Sequence, residues 1–408
     1  MDLFFDLAGY EFKKILCRKR TVIVLTLVIF LAALSVFGTV IGNYYYTDEN
    51  GNEIAVSLYE NEMSEREKQE ELSGRIIDTD LIMEAVNVLK TTPVDTDTYD
   101  LYDCGTSVSI RKYRRVYFII MDTFHFDSLD DIRTLTRSQA EQFDRKRREN
   151  REYVIENSKI SENMKSYWIK CLDKYPKTLT YEYAEGYDRF ITVMYTTGIM
   201  AAAALAIMLS GIFSDEYTSG ADSLILSSKH GKGLVIGAKL FTAFVISAAL
   251  IGLLTVISFA EAMAVWGNGG ADGAIEYLGD LFPYPITIGR AAVLYVICVL
   301  AACLFFTAVT VLLSSVFKAP FNTMVIMTVI LMVPMFVSLP DEAPIWAFCL
   351  ENMIPTNMMG CWVSLGHIQY EVFGLVIPPY VFLPVFAVTV STACSYFAYL
   401  KFKRHQVS

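Results

Sequence analysis

Six stretches of this 408-residue chain carry no charged side chain and run past 20 residues: 21–47, 190–214, 240–260, 291–317, 319–340 and 372–400. Hydrocarbon offers backbone amides no water to bond, so such stretches are confined to helices of about 20 residues that close their hydrogen bonds internally. Each is rich in Val, Ile, Leu, Phe and Ala. A seventh charge-free interval, 352–370, is only 19 residues long and includes Pro355, Asn357, His367 and Gln369. It reads as short re-entrant or interfacial helices within an outer region 341–371, not as a span.

Charge polarity supports six spans with both termini cytoplasmic, because cytoplasmic segments carry the Lys/Arg excess. On that reading the inner segments collect Lys13, Lys14, Arg18, Lys19, Arg20, Lys229, Lys232, Lys239, Lys318, Lys401, Lys403 and Arg404. The outer loops after the third and fifth spans hold Glu261, Asp272, Glu276, Asp280, Asp341, Glu342, Glu351 and Glu371, with Arg290 the exception. A seventh span would expel the basic tail. The run Val22–Ile41 is too long for a cleaved signal core, so residues 21–46 read as the first span.

The net charge of -10 has one source. Residues 47–188 hold 30 Asp/Glu and 20 Lys/Arg, and the rest of the chain is balanced. This is an extracytoplasmic domain between the first two spans, expected to be mostly helical. Leu81, Ile82, Ala85, Val86 and Leu89 form an apolar face ending near Pro93. Ser128 and Asp131 have capping-box spacing before a long charged helix, and Ser161 caps another that Pro176 stops. Val116–Met121 is either helix or strand. Arg145-Lys146-Arg147-Arg148 sits among Asp144, Glu149 and Glu152, which suits a solvated helix face better than a nucleic-acid patch. Composition excludes a single soluble globule, a basic nucleic-acid binder and a disordered acidic chain, since 13% of residues are aromatic.

Residues 1–20 form an amphipathic lead. At 100° per residue, Phe4, Phe5, Ala8, Phe12, Ile15 and Leu16 share an arc of about 120°, opposite Asp2, Asp6 and Lys13. A helix of that kind lies along the inner leaflet with its basic residues near anionic headgroups.

The motifs of catalysis and metal binding are missing from the sequence. There is no HExxH, the four histidines are scattered, and the eight cysteines form no CxxC. Cys104/Cys171 and Cys349/Cys361 are pairs that oxidation would allow, free thiols being equally compatible. Ser228-Lys229-His230-Gly231-Lys232-Gly233 lacks the spacing of a phosphate loop. No cofactor is expected. The spans contain no buried charge of the kind that ion-coupled transport uses, so a transporter of this composition needs energy from another chain.

The short cytoplasmic loop 214–239 carries the functional argument. Asp215 and Glu216 favour the start of a helical turn. Ala221, Leu224 and Ile225 can share one face, and the Gly/Lys stretch ends the helix and returns the chain to the membrane, which gives one short helix parallel to the membrane. The pattern Phe213-Ser214-x-Glu216-x3-Gly220-x3-Leu224-x-Leu226-Ser227, followed by Lys232 and Lys239, resembles ABC-type-2 transporter permeases. Ser161-Glu162 to Tyr167-Trp168 and Thr180–Tyr187 resemble the outer domain of a bacterial, Firmicute-like branch. Many members have Pro before the basic residue, where Lys229-His230-Gly231 stands here.

The resemblance implies an all-α polytopic permease subunit of an exporter, with two permease chains side by side and separate ABC-type ATPase subunits beneath. It implies that Asp215, Glu216, Gly220, Leu224, Leu226, Lys232 and Lys239 form the coupling loop. It further implies that the N-terminal helix moves with that loop and that the hairpin around Pro355 helps seal the exit. The expected location is the bacterial cell membrane, with lipid and the ATPase as partners and no nucleic acid. The competing reading is a membrane-anchored sensor or scaffold whose outer domain binds a peptide or envelope component.

Overall fold

A computed structural model describes residues 2–47, 52–92, 107–279, 284–340 and 342–405. Five of its helices are long and apolar enough to cross a membrane. The first is Lys19–Phe37 and the second Glu185–Leu209. The third, Ile236–Trp266, continues a π-turn at Gly231–Val235, and the fourth is Ile288–Val316. Pro320–Phe336, the fifth apolar helix in chain order, has only 17 residues, and Pro379–Lys403 is the last. The fourth helix packs chiefly against the last and the second, and the third packs against the second, the fourth and the first.

Without a hydrophobic difference between lipid and side chain, helices associate where small residues let backbones approach. The second helix shows this. Ala201, Ala202 and Ala204 are fully enclosed. A Cβ on Gly198 would sit 3.0 Å from Val299, and one on Gly186 only 2.1 Å from the Gly267 carbonyl oxygen. Hydroxyls close the remaining polar contacts within the bundle: Thr197 with Ser258 at 3.1 Å and Ser247 with Thr307 at 2.7 Å.

The charge-free intervals overestimate two of the spans. The first helix stops at Phe37, and Asn43–Thr47 (β1) pairs antiparallel with Glu53–Ser57 (β2), because Tyr44-Tyr45-Tyr46 suits a pleated strand. The last interval opens with another hairpin, Tyr370–Val372 (β3) against Leu375–Ile377 (β4). Its turn places Phe373 at φ +50° and Gly374 at φ +79°, the backbone that a two-residue hairpin requires.

The inserted domain is mostly helical. Thr79–Thr91 buries Leu81, Ile82, Ala85, Val86 and Leu89, with Asp78 capping its N-terminus. Pro93, and Cys104 with its proposed pairing, lie outside the described residues. Residues 116–121 are helical, within Arg114–Phe124. The Ser128/Asp131 capping box forms, but it starts a helix of only five residues, Leu129–Arg133; the charged helix proper is Phe143–Asn157. Thr136 opens a second capping box between them, so two helix-start signals divide what reads as one segment. Ser161 caps Glu162–Leu172 through Met164 N–H.

This domain is stitched to the bundle by the described residues 267–279 and 284–287. Arg147 departs from the expected solvated face. It is buried, lies 3.3 Å from Glu276 and donates to the Pro176 and Lys177 carbonyls, while Arg145 stays exposed beside Glu149. Arg151 holds Glu276 as well, at 2.6 Å. Elsewhere Trp266 Nε1 donates to Glu62 at 2.7 Å, and Glu371 of β3 accepts from Ser161 and Asn163. Rings continue the seam from Trp168 to Tyr284 (4.9 Å) and from Tyr284 to Tyr380 (5.0 Å).

Removing a buried cation from a paired site costs far more than removing a solvated one. Arg147→Ala is therefore expected to destabilise the protein by about 2–3 kcal/mol, Arg151 still holding Glu276. Arg145→Ala should cost at most about 0.5 kcal/mol. Thermal unfolding of the two purified variants checks the contrast.

Candidate functional site

The basic end of the bundle gathers most of the loop residues singled out above. Between the second and third apolar helices the chain forms two short helices, Ser214–Ser219 and Ala221–Ser227. They are not the single helix expected. Gly220 sits at φ +71°, a conformation open to glycine at little cost, and it breaks the helix there. Gly231 then returns the chain: a Cβ at this position would lie 1.5 Å from the Ile225 carbonyl oxygen, so only glycine fits the crossing. The turn at Lys229-His230-Gly231 thus depends on the volume that Gly231 lacks.

The N-terminal helix Asp2–Leu16 lies across the loop. Its Ala8 and Ile15 are buried, Phe4 and Phe12 half-buried, and Phe5 and Leu16 exposed. Phe4 and Phe5 meet Phe241 edge-on at 5.7 and 6.4 Å. One face of the helix thus packs on the third apolar helix and leaves part of its apolar stripe open. The Phe4 ring lies over Gly237, 3.6 Å from where a Cβ would be, a distance at which a methyl group would also fit.

At the centre is Lys239, whose side chain has no solvent exposure. Its ammonium lies 2.6 Å from Glu216 Oε1 and 2.9 Å from Glu11 Oε1. Glu216 also binds Lys14 of the N-terminal helix. The result is a four-membered, electrically neutral cluster from three elements. Beside it, Asp215 pairs with Arg18 and, at 3.4 Å, with Arg20. Gly211 makes room for that second pair: a Cβ there would come within 2.3–2.5 Å of Asp215 and Arg20.

The fourth and last apolar helices hold the loop from the other side. Ser314 Oγ accepts from Phe213 and Ser214 N–H at 3.1 and 3.2 Å and donates to the Ser210 carbonyl at 2.7 Å. Tyr217 donates to the Ser315 carbonyl at 2.9 Å. Its ring lies 5.6 Å from Phe402 and 4.6 Å from His405, and His405 Nε2 is 3.2 Å from Asp222. Leu226 is buried beneath the loop.

The residues do not all share one environment. Leu224 is 74% exposed and Lys232 also faces outward, its carbonyl accepting from Tyr399. Ala221 and Ile225 are only half-buried, so the apolar face expected over Ala221, Leu224 and Ile225 is split, Leu226 supplying the anchor. Pro355 lies at the opposite end of the bundle, where it starts the helix Pro355–Met358 and is buried. The neighbouring Thr356 and Met359 bond the fifth and fourth apolar helices, through the Ile330 and Leu331 carbonyls at 3.2 Å and Tyr295 at 2.6 Å.

Sequence reasoning missed Glu11, Lys14, Tyr217, Asp222, Ser314, Phe402 and His405 as loop partners. One signal was present. Asp215 and Glu216 are adjacent acidic residues, and the surplus of lysine and arginine in residues 13–20 was their natural complement.

Lys239→Met would leave Glu11 and Glu216 buried with one fewer cation between them. The expected loss is about 3–5 kcal/mol. The measurement is the thermal midpoint in lipid nanodiscs, with the exposed Lys232→Met as the control that should leave the midpoint nearly unchanged.

No curated protein and no solved structure matches the chain. A family model described as an ABC-2 family transporter protein matches residues 6–340, which takes in the N-terminal helix, the inserted domain, the loop and the first five apolar helices. The chain is a multi-pass membrane permease that belongs to the ABC-2 transporter family.

Proposed function

We propose that the chain is the membrane subunit of an ATP-driven exporter in the bacterial cell membrane, with ATP hydrolysed by separate ABC-type ATPase subunits. On this reading six helices span the bilayer, Pro320–Phe336 among them. Its length of about 25 Å falls at the short end of what a bilayer accepts. Both termini are cytoplasmic, as the concentration of lysine and arginine at one end of the bundle supports. A second permease chain, identical or paralogous, completes the path.

The observation that carries the proposal is the mounting of the loop. Ala221–Ser227 presents Leu224 to solvent while the adjoining Ser214–Ser219 is locked by ion pairs and hydrogen bonds to the N-terminal, third and fourth apolar helices. An exposed apolar knob on a rigid mount suits a partner that pushes: displacement of Leu224 would reach Glu216, and Glu216 is joined to two other helices. Glu216, Lys239 and Asp215 serve as the transmitting elements in this scheme, and Leu224 with Lys232 as the contact surface.

Charge reversal at Glu216 is expected to uncouple ATP hydrolysis from transport, but it would also set three cations together in a buried cluster. Leu224→Asp is the cleaner variant. It should keep the thermal midpoint of the parent and reduce the amount of ATPase that co-purifies with the chain about tenfold or more, as loss of a central apolar anchor does. Undiminished recovery of the ATPase with Leu224→Asp would overturn the assignment of this loop as the docking element.

A further inference from the structure

A groove of about 400 Å³ lies where the inserted domain meets the fourth apolar helix, far from the loop just described. One wall comes from residues 174–182 of the inserted domain, the other from residues 272–274 and 285–290. Its size is in the range of small-molecule sites. Four charged side chains line it: Lys174, Arg290, Glu182 and Asp272. None of the four makes an ion pair or a side-chain hydrogen bond among the described residues.

Many charges of the inserted domain are paired, as in Arg148 with Glu152 and Asp173, Arg115 with Asp188, or Arg75 with Glu84, whereas here Lys174, Asp272 and Arg290 are exposed and Glu182 is half-buried. Arg290 is also one of two cations outside residues 47–188, with Arg189, that lie away from the basic end of the bundle. In the groove, two cations and two carboxylates face one cavity without neutralising each other. Gly273 keeps the space open: a Cβ there would sit 3.1 Å from Glu182 Cβ. Tyr175, Leu179 and Ile286 supply apolar lining between the charges.

We propose that this groove binds a small zwitterion, most simply a short peptide with free ends, its carboxylate held by Arg290 and Lys174 and its ammonium by Glu182 and Asp272. A ligand with one charge would satisfy half of the lining; a zwitterion satisfies both halves and brings no net charge into the cleft. Burial, with the neighbouring Asp272 adding to it, raises the affinity of Glu182 for a proton, and an ammonium seated there would remove that penalty. The inference concerns binding alone and does not rest on the export reading.

The test is isothermal calorimetry on the full chain in nanodiscs, with the tripeptide Ala-Leu-Ala as probe. Saturable binding is expected. N-acetylation or C-terminal amidation should each weaken it about tenfold or more, the effect of one lost charge-assisted contact. Arg290→Gln should reduce the sensitivity to amidation and Glu182→Gln the sensitivity to acetylation, with the thermal midpoint of each variant showing that the fold persists. No saturable binding up to millimolar peptide, equal binding of blocked and free peptides, or end-group sensitivities unmoved by either substitution would overturn the proposal.

Discussion

A lysine with no access to water organises the basic end of this protein. An ammonium taken out of water must be met by carboxylates in good geometry or it will not stay charged. Lys239 is met by two, and they arrive on separate segments: Glu11 from the N-terminal helix and Glu216 from the loop. The requirement to satisfy one charge therefore fixes the position of two elements that would otherwise rest loosely against the bundle. Glu216 in turn takes Lys14, so the N-terminal helix is held at two points about one turn apart. Asp215, Arg18 and Arg20 extend the same logic outward into half-exposed positions, where each pair contributes less.

The opposite end of the bundle is joined to the inserted domain by equivalent means with different residues. Glu276 is enclosed and held by Arg147 and Arg151. Trp266 reaches Glu62, and the ladder of Trp168, Tyr284 and Tyr380 ties the domain to the start of the last apolar helix. Both ends thus combine enclosed charge pairs with aromatic contacts, and the middle of the bundle relies on small residues and paired hydroxyls. In an exporter, this arrangement would let a displacement of the loop reach the helix bundle as a whole, because the loop has few contacts that can slip independently.

Much of this architecture was legible in the sequence, where physics made the signal one-dimensional. A run without charge can be counted, and each apolar helix overlaps one of those runs, though only Pro320–Phe336 lies wholly inside its own. Ser161 caps its helix as its spacing implies, and the Ser128 box forms but opens only a short helix. What was not legible depends on contacts between distant residues. Arg147 looks like its neighbours Arg145 and Arg148 until Glu276, more than a hundred positions away, comes to meet it. Nothing local distinguishes Leu224, which faces solvent, from Leu226, which is buried. The hairpin β1–β2 hides behind the apolar character of three tyrosines, which count toward a span by composition yet prefer a strand. At the loop, helix propensity favoured one continuous segment, and a single glycine in the left-handed region was enough to divide it.

The stitching by residues 267–279 and 284–287 has a consequence for how the molecule is made. Tyr277 and Ile288 belong to the same apolar cluster as Leu81, Tyr117 and Tyr181, although two apolar helices separate them from that domain in the chain. Tyr277 donates to the Thr180 carbonyl and packs edge-on against Tyr181 at 6.2 Å. A ribosome delivers residues 52–188 long before it delivers these last pieces. The inserted domain must therefore wait, with Leu179, Tyr181 and Tyr183 incompletely covered, until the second and third apolar helices have entered the bilayer and the start of the fourth has emerged. Completion of this domain's core is in this way made conditional on the arrival of the start of the fourth apolar helix, and a chain whose third helix failed to insert would carry an unfinished domain.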